Sequence, residues 1–551
     1  MALPELSIDN KGLRGEGYFQ NIYHFFSKCS VFDFFVIIIC LTSFGCSWIE
    51  SVVNYDSLHW GFAYGSLLDL KRGAIPFSET FLGYGYIPAL LGVIALSLFG
   101  EKLMIIGILT GLFYSLTLFL SYLVFLRFLQ KSFAFVAVLL IFLIHPYMIY
   151  PGGNYFAYTF QLLGLIFFLR YPDNRYNGFL AGFFLCMSVL SRYSSVIAIL
   201  PPIVIMLGWE LFTTRDTKKI IMEKIGIIVS GFLIPLALFF TYLFMNSALE
   251  DFFFQNKMMV QLWGRVDSID TYLKFIASIF QIIDSYASDF RGKLFTLILI
   301  VCLFVIFREV LKNKFNSFVM SDYAKYCFLA VCLVALFGYL NSIHHYETFR
   351  LINGSSIGVG VCVLVSCDFY RQAKRPLKYL MVSLVVLMFV LLSSSLFFKT
   401  TTSSYYPWRI DILLHSGVKN ENIGILKGKI LSKEYNDFYQ EVYDAIAPFK
   451  NTCYIINFTD DGIAFLMNDL PRVQITSIYY PWFEDVYKQV DIINRNKALI
   501  LSSKKLDLSD YREIFIKKWP YEIPWLGGNY LFIYAPKRFV YDNKALWGYI
   551  Q

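Results

Sequence analysis

The chain has 551 residues, 57% of them hydrophobic and 16% charged, with a mean hydropathy of +0.55. Soluble domains carry roughly a quarter charged residues, so these values exclude an ordinary soluble protein and point to a polytopic α-helical membrane protein. The net charge of +8 does not signal a nucleic-acid partner, because Lys and Arg fall in short loops between apolar runs, where they set orientation.

The opening "MALPELSIDNKGLRGEGYFQ" is polar and too long before its first apolar run for a cleaved signal peptide. Residues 1–30 therefore read as a cytoplasmic N-terminus, and the first hydrophobic helix as a retained anchor. A span needs about 20 apolar residues. Runs approaching that length, several of them short, lie at 31–49, 103–126, 133–150, 155–169, 177–190, 195–212, 220–245, 294–307, 323–340, 351–367 and 379–398. They predict about eleven transmembrane helices within a domain covering 31–398. Cations recur on alternate connections, as at Arg127 and Lys131, at Arg215, Lys218 and Lys219, and at Arg371, Lys374 and Arg375. The positive-inside rule puts those connections in the cytoplasm, provided that "YIPALLGVIALSLFG" (86–100) does not cross. That segment is short for a span and reads as a re-entrant or interfacial helix on the outer side.

From 399 to 551 the composition changes. Strand-like "TCYIINF", "KALILSS" and "NYLFIYAP" alternate with helix-like "KEYNDFYQEVYDAIAPF" and "EDVYKQVDIINRN", which predicts an α/β domain on the outer face. Cys453 is its only cysteine, so it holds no internal disulfide. The other cysteines lie mostly in or beside apolar runs without any CxxC and read as core fillers. This suits a multi-pass protein of a bacterial inner membrane whose globular part faces the periplasm or cell exterior.

The polar stretch "NYDSLHWGFAYGSLLDLKRGAIPFSETFLGYGY" lies in the first outer loop, 50–86, and gathers Asp56, His59, Asp69 and Glu79 beside the first span. Leu58, Phe62, Leu67, Leu68 and Leu70 recur at near-helical spacing, predicting an amphipathic helix lying on the membrane, interrupted by Gly61 and Gly65. Each acid also has a plainer reading: Asp56 as a helix N-cap, Asp69 as partner of Lys71 and Arg72, Glu79 as a solvated charge. Later outer loops supply Arg192, Lys257, Arg265, His344, His345 and Arg350. A carboxylate facing cations at the bilayer surface suits a reaction in which a hydroxyl or amine loses a proton while a phosphate departs. Arg and Lys are the usual phosphate holders. A metal site is not indicated: the two adjacent His of "HHYETFR" point apart, and neither HxxxH nor HExxH occurs. "PGGN" lacks the Lys and Ser or Thr of a phosphate loop.

The order Asp56, His59-Trp60-Gly61, Asp69, Gly73, Pro76, Glu79, Phe81, Tyr84-Gly85 resembles the first outer loop of GT-C integral-membrane glycosyltransferases. That class includes protein O-mannosyltransferases, lipid A aminoarabinose transferases and oligosaccharyltransferases. The motif covers some thirty residues, and the plan of spans followed by an outer domain agrees with the class. The resemblance implies inverting transfer of a sugar from a polyprenyl-phosphate donor to a glycan, lipid or protein acceptor. Asp56 would be general base, with Asp69 or Glu79 as second carboxylate because Ser57 stands where the class carries an adjacent acid. It also implies lipid-phosphate contacts by basic residues of later outer loops, among which topology ranks Arg192, Lys257, Arg265 and Arg350 first, with His344 and His345 behind them; His59 and Tyr84 are expected in substrate binding. It fixes no cofactor and leaves a divalent cation open. Two other classes compete: a transporter or flippase for lipid-linked sugars, and a non-catalytic envelope assembly protein. Nearly uncharged span interiors and the lack of repeated halves disfavour the transporter.

Overall fold

The computed structural model describes residues 30–54, 57–83, 85–171, 174–213, 218–263, 290–312, 322–342, 354–397, 409–415, 417–450, 453–459, 461–463, 491–520 and 529–542. The membrane part contains α1 (Val31–Val53), α2 (Ser57–Lys71), α3 (Tyr86–Phe99), α4 (Met104–Phe125), α5 (Lys131–Ile144), α6 (Gly153–Leu169) and α7 (Arg175–Ser191). It continues with α8 (Ser195–Thr213), α9 (Lys218–Met245), α10 (Leu249–Trp263), α11 (Phe290–Lys312), α12 (Asp322–Ser342), α13 (Gly358–Gln372) and α14 (Arg375–Phe397). Among the described residues, Val31–Val53, Met104–Phe125, Lys219–Met245, Tyr323–Asn341 and Arg375–Ser394 are long and apolar enough to cross a bilayer. Shorter apolar helices at Lys131–Ile144, Gly153–Leu169, Ser195–Leu211 and Leu297–Arg308 complete a multi-pass bundle.

Lipid tails are as apolar as Leu, so helices in a membrane associate through close backbone approach rather than hydrophobic burial. The sequence supplies that approach with small residues four apart. Ser47 and Ser51 of α1 lie against Gly111 and Gly107 of α4, and Gly182 of α7 lies against Gly231's helix, α9, touching its Ile228 carbonyl. Polar links then tie the helix ends. On the face expected to be cytoplasmic, Asp33 accepts from Tyr122 Oη and Lys131 Nζ at 2.6 Å each, and Lys224 Nζ donates to Glu210 at 2.7 Å. On the opposite face Gly85, just before α3, packs on the Ser191 carbonyl at the end of α7. There Leu103, just before α4, donates its N–H to Ile425 of the C-terminal domain at 2.9 Å. Helix α3 thus begins and ends on the face that carries this domain.

Two local expectations change. The run 133–150 is not one helix: α5 stops at Ile144, and the chain from His145 to Gly152 is extended and buried. Pro146 and Pro151 explain this, since each lacks an amide proton and biases its predecessor away from helix. In the first loop, α2 runs unbroken through Gly61 and Gly65. Trp60, Phe62, Tyr64, Leu67 and Leu68 are buried around its circumference, so it is enclosed by protein rather than floating on the membrane.

The C-terminal domain starts with α15 (Ile410–His415) and a two-stranded ribbon of β1 (Val418–Lys419) and β2 (Ile430–Leu431). Its main sheet has the order β3-β4-β6-β5, from Tyr454–Phe458, Ala498–Ser502, Tyr530–Pro536 and Tyr511–Lys518 respectively. β3 and β4 are parallel and the other pairs antiparallel. The three strand-like runs became β3, β4 and β6, whereas β5 was not anticipated. Helix α16 (Lys433–Ile446) buries Phe438, Tyr439, Val442 and Ile446, which recur at helical spacing, and Phe438 meets Trp519 at 5.1 Å between ring centroids. Most of "EDVYKQVDIINRN" lies outside the described residues.

The domain docks on the first loop backbone to backbone. Gly61 of α2 and Gly462 approach so closely that a Cβ on either would collide with the other's main chain. Replacing Gly61 by Ala is expected to cost about 1–3 kcal/mol through this overpacking, read as a lower melting temperature of the solubilised protein. Gly45→Ala, with nothing within 4 Å of its Cβ position, is expected to leave the melting temperature unchanged or slightly raised.

Candidate functional site

At the C-terminal end of α1 the chain leaves the helix through Asn54, whose backbone is extended (φ −108°, ψ 149°). A helix end leaves orphan carbonyls, and no glycine turn is present here to satisfy them. Lys429 does so from the C-terminal domain: its Nζ donates to the carbonyls of Ser51 and Asn54, 2.8 Å each. The same ammonium lies 4.7 Å from the Trp60 ring centroid on the first turn of α2. Lys429, Trp60 and Glu50 are all fully buried. Glu50 accepts from the Arg409 N–H at 3.2 and 3.3 Å and from Asn54 Nδ2 at 3.4 Å. Burial holds the Lys429 amine down at about 7, against a partial upward pull from Glu50.

At the far end of the first loop, Phe77 adopts a positive φ of 69° and its carbonyl accepts from Gln255 Nε2 of α10. The Phe77 ring meets Phe252 at 5.0 Å, and Phe252 meets Tyr193 at 5.4 Å. Gly85, at φ +92°, lets the loop press on Ser191 beside Arg192. So the first loop, the Arg192 turn and α10 converge. Among the described residues, Tyr193 Oη, Ser194 Oγ and Gln255 Oε1 are buried around this meeting place without a partner, as is Trp60 Nε1 at the start of α2. Such atoms are costly unless water or a bound polar molecule serves them. Beside them a narrow, almost wholly apolar cleft of about 50 Å³ runs between α2, α3 and α4, with Gly85 and Pro151 among its lining residues.

The residues expected to act fall into three groups. The His59 ring meets Tyr150 of the 145–152 segment at 5.0 Å in a tilted contact, and Arg192 caps α7, half-buried. Lys257 is exposed on α10, two residues beyond Gln255. These lie on the first loop and its neighbouring segment, the Arg192 turn and α10. Asp69 and Glu79 sit at the C-terminal end of α2, beside the Phe77 turn that Gln255 holds, and a straight helix sets Asp69 about 18 Å from Ser57. Asp69 Oδ2 accepts from Thr80 at 3.5 Å, and exposed Glu79 closes its own turn on the Ile75 N–H at 2.8 Å. Lys71 pairs with Glu101 instead of Asp69. Asp56, Tyr84, Arg265, His344, His345 and Arg350 lie outside the described residues. Sequence reasoning missed Glu50 and Lys429. A lone Glu at the edge of an apolar run was the available signal for the first, since an ionisable residue there is expected to have a partner. Among the described residues no cluster of three His, Cys, Asp or Glu forms a ligand set for a metal ion.

No family model matches the chain, and no curated protein matches it. Among solved structures it is similar to the apo oligosaccharyltransferase of Archaeoglobus fulgidus, at 13% identity over 88% of this chain and 70% of that one, TM-score 0.46. It is also similar to that organism's AglB in complex with an inhibitory peptide and a dolichol-phosphate, at 12% identity over 88% and 70%, TM-score 0.44. A third is ArnT from Cupriavidus metallidurans bound to undecaprenyl phosphate, at 13% identity over 84% and 92%, TM-score 0.47.

The Lys429 amine gives a pH signature. In the unfolded chain it keeps its proton up to about 10.5, and in the folded chain it releases it at about 7. Between those values the unfolded chain binds the extra proton, so stability rises with pH across that window. The melting temperature of the wild type is expected to gain on that of Lys429→Met between about pH 7 and 9.5, and a constant gap would contradict the burial of the amine.

Proposed function

We propose that the protein is an inverting glycosyltransferase that moves a sugar from a polyprenyl-phosphate donor to a glycan, lipid or protein acceptor on the face carrying the C-terminal domain. The observation that carries this reading is the meeting of the first loop with the Arg192 turn and α10, where buried hydroxyl and amide groups stand unsatisfied beside an apolar cleft. A hydroxyl-rich sugar attached to an apolar chain has the complementary chemistry. The acidic loop that opens this site carries the residue order of the GT-C class described above.

In the proposed reaction the Asp56 carboxylate takes the proton of the acceptor hydroxyl or amine as that atom attacks the anomeric carbon. The bond from that carbon to the phosphate oxygen breaks with inversion, and the polyprenyl phosphate leaves with both electrons. Arg192 and Lys257 neutralise the charge arriving on it. The transporter reading has less support: among the described residues the buried charged side chains are Glu50, Lys224, Lys429 and Asp461, at helix ends or in the outer domain rather than mid-span.

Asp56→Asn is expected to cut transfer about a hundred- to ten-thousandfold while leaving membrane insertion and undecaprenyl-phosphate binding intact. Undiminished turnover in that variant sinks the assignment of the base. Arg192→Ala is expected to weaken undecaprenyl-phosphate binding by about tenfold or more, measured by native mass spectrometry or tryptophan fluorescence titration.

A further inference from the structure

We infer that Lys429 of the C-terminal domain is a positioning residue for the first loop: it clamps both flanks of the two-residue link that carries Asp56. This rests on the reading of Asp56 as the base. On the N-terminal flank the Lys429 ammonium caps the carbonyls of Ser51 and Asn54 at the end of α1, both at 2.8 Å. On the C-terminal flank it packs over the Trp60 ring, four residues after Asp56 on the first turn of α2.

Lys429 is itself rigidly presented. Its N–H donates to the Leu426 carbonyl at 2.9 Å, its carbonyl accepts from Asn420 at 2.8 Å, and it is followed directly by β2. Asn420 is held in turn, its Oδ1 accepting from Ile423 and its Nδ2 donating to Asn436, both at 3.0 Å. The clamp is also supported from below, because Glu50 lies one turn before Asn54, is fully buried, and takes the Arg409 N–H. An apolar residue would dock the two parts with less desolvation, so docking alone does not call for a buried cation. A directed donor aimed at two named carbonyls does.

The test uses the full-length protein in nanodiscs and two variants, Lys429→Met and the double variant Glu50→Leu, Lys429→Met. The double variant also removes the buried Glu50 carboxylate, which in the single variant loses its nearby cation, and should regain part of the melting temperature lost in the single variant. Hydrogen exchange of the amides from 50 to 60 is expected to rise about tenfold in both variants, with α16 and the main sheet unchanged. With polyprenyl-phosphate glucose, mannose or aminoarabinose, whichever the wild type accepts, kcat is expected to fall about thirtyfold or more in both, with KM within about threefold. Unchanged exchange at 50–60 in Lys429→Met overturns the inference, as does a double variant that regains wild-type kcat. If the wild type transfers none of these sugars, the proposed function falls, and the exchange measurement alone decides whether Lys429 clamps the link.

Discussion

A single buried ammonium ties the two halves of this molecule together. Lys429 projects from a tight turn of the C-terminal domain into the end of the first membrane helix, where it satisfies carbonyls that the helix cannot satisfy itself. Moving a lysine out of water costs several kcal/mol, and the observed surroundings offset part of it through two hydrogen bonds, an aromatic face and a nearby carboxylate. Each of those partners must hold its place for the charge to be tolerated. Trp60 fixes the start of α2, Glu50 fixes Arg409 where the chain enters the C-terminal domain, and Gly61 admits Gly462. The C-terminal domain is therefore part of the wall around the first loop, and removing it would leave Glu50 and Trp60 without their cover.

From that anchor the rest of the site follows by geometry. Small residues let α1 and α4 meet closely, and this brings Trp60 against Gly107. The prolines at 146 and 151 break what would have been a long helix and lay an extended, buried strip under His59. Irregular backbone at membrane depth is tolerated only where protein or a cavity surrounds it, so this strip belongs with the candidate site. Helix α3 enters beside Arg192 and returns to the C-terminal domain, which leaves its apolar flank to line the cleft.

Much of the architecture was legible in the sequence because it depends on local chemistry. Apolar runs gave most of the helices and three of the four main strands, and the change in composition near 399 marked where the C-terminal sheet domain follows the helices. The polar first loop stood out for the same reason. Elements whose structure depends on contacts distant along the chain were not legible. Lys429 and Ser51 are 378 positions apart, and nothing in "LKGKIL" sets this lysine apart from a surface one. Gly61 read as a helix breaker, yet its role is to admit Gly462. The strip after α5 was misread for another reason: its composition is apolar enough to mask its prolines.

The most direct measurement of the central claim is the fate of label on the donor lipid. Membranes containing the wild-type protein, supplied in turn with radiolabelled polyprenyl-phosphate glucose, mannose and aminoarabinose, should move label from one of these lipids to an acceptor fraction, and membranes carrying Asp56→Asn should not. Label that crosses the bilayer while remaining on the lipid would instead identify a flippase and contradict the assignment of a transferase.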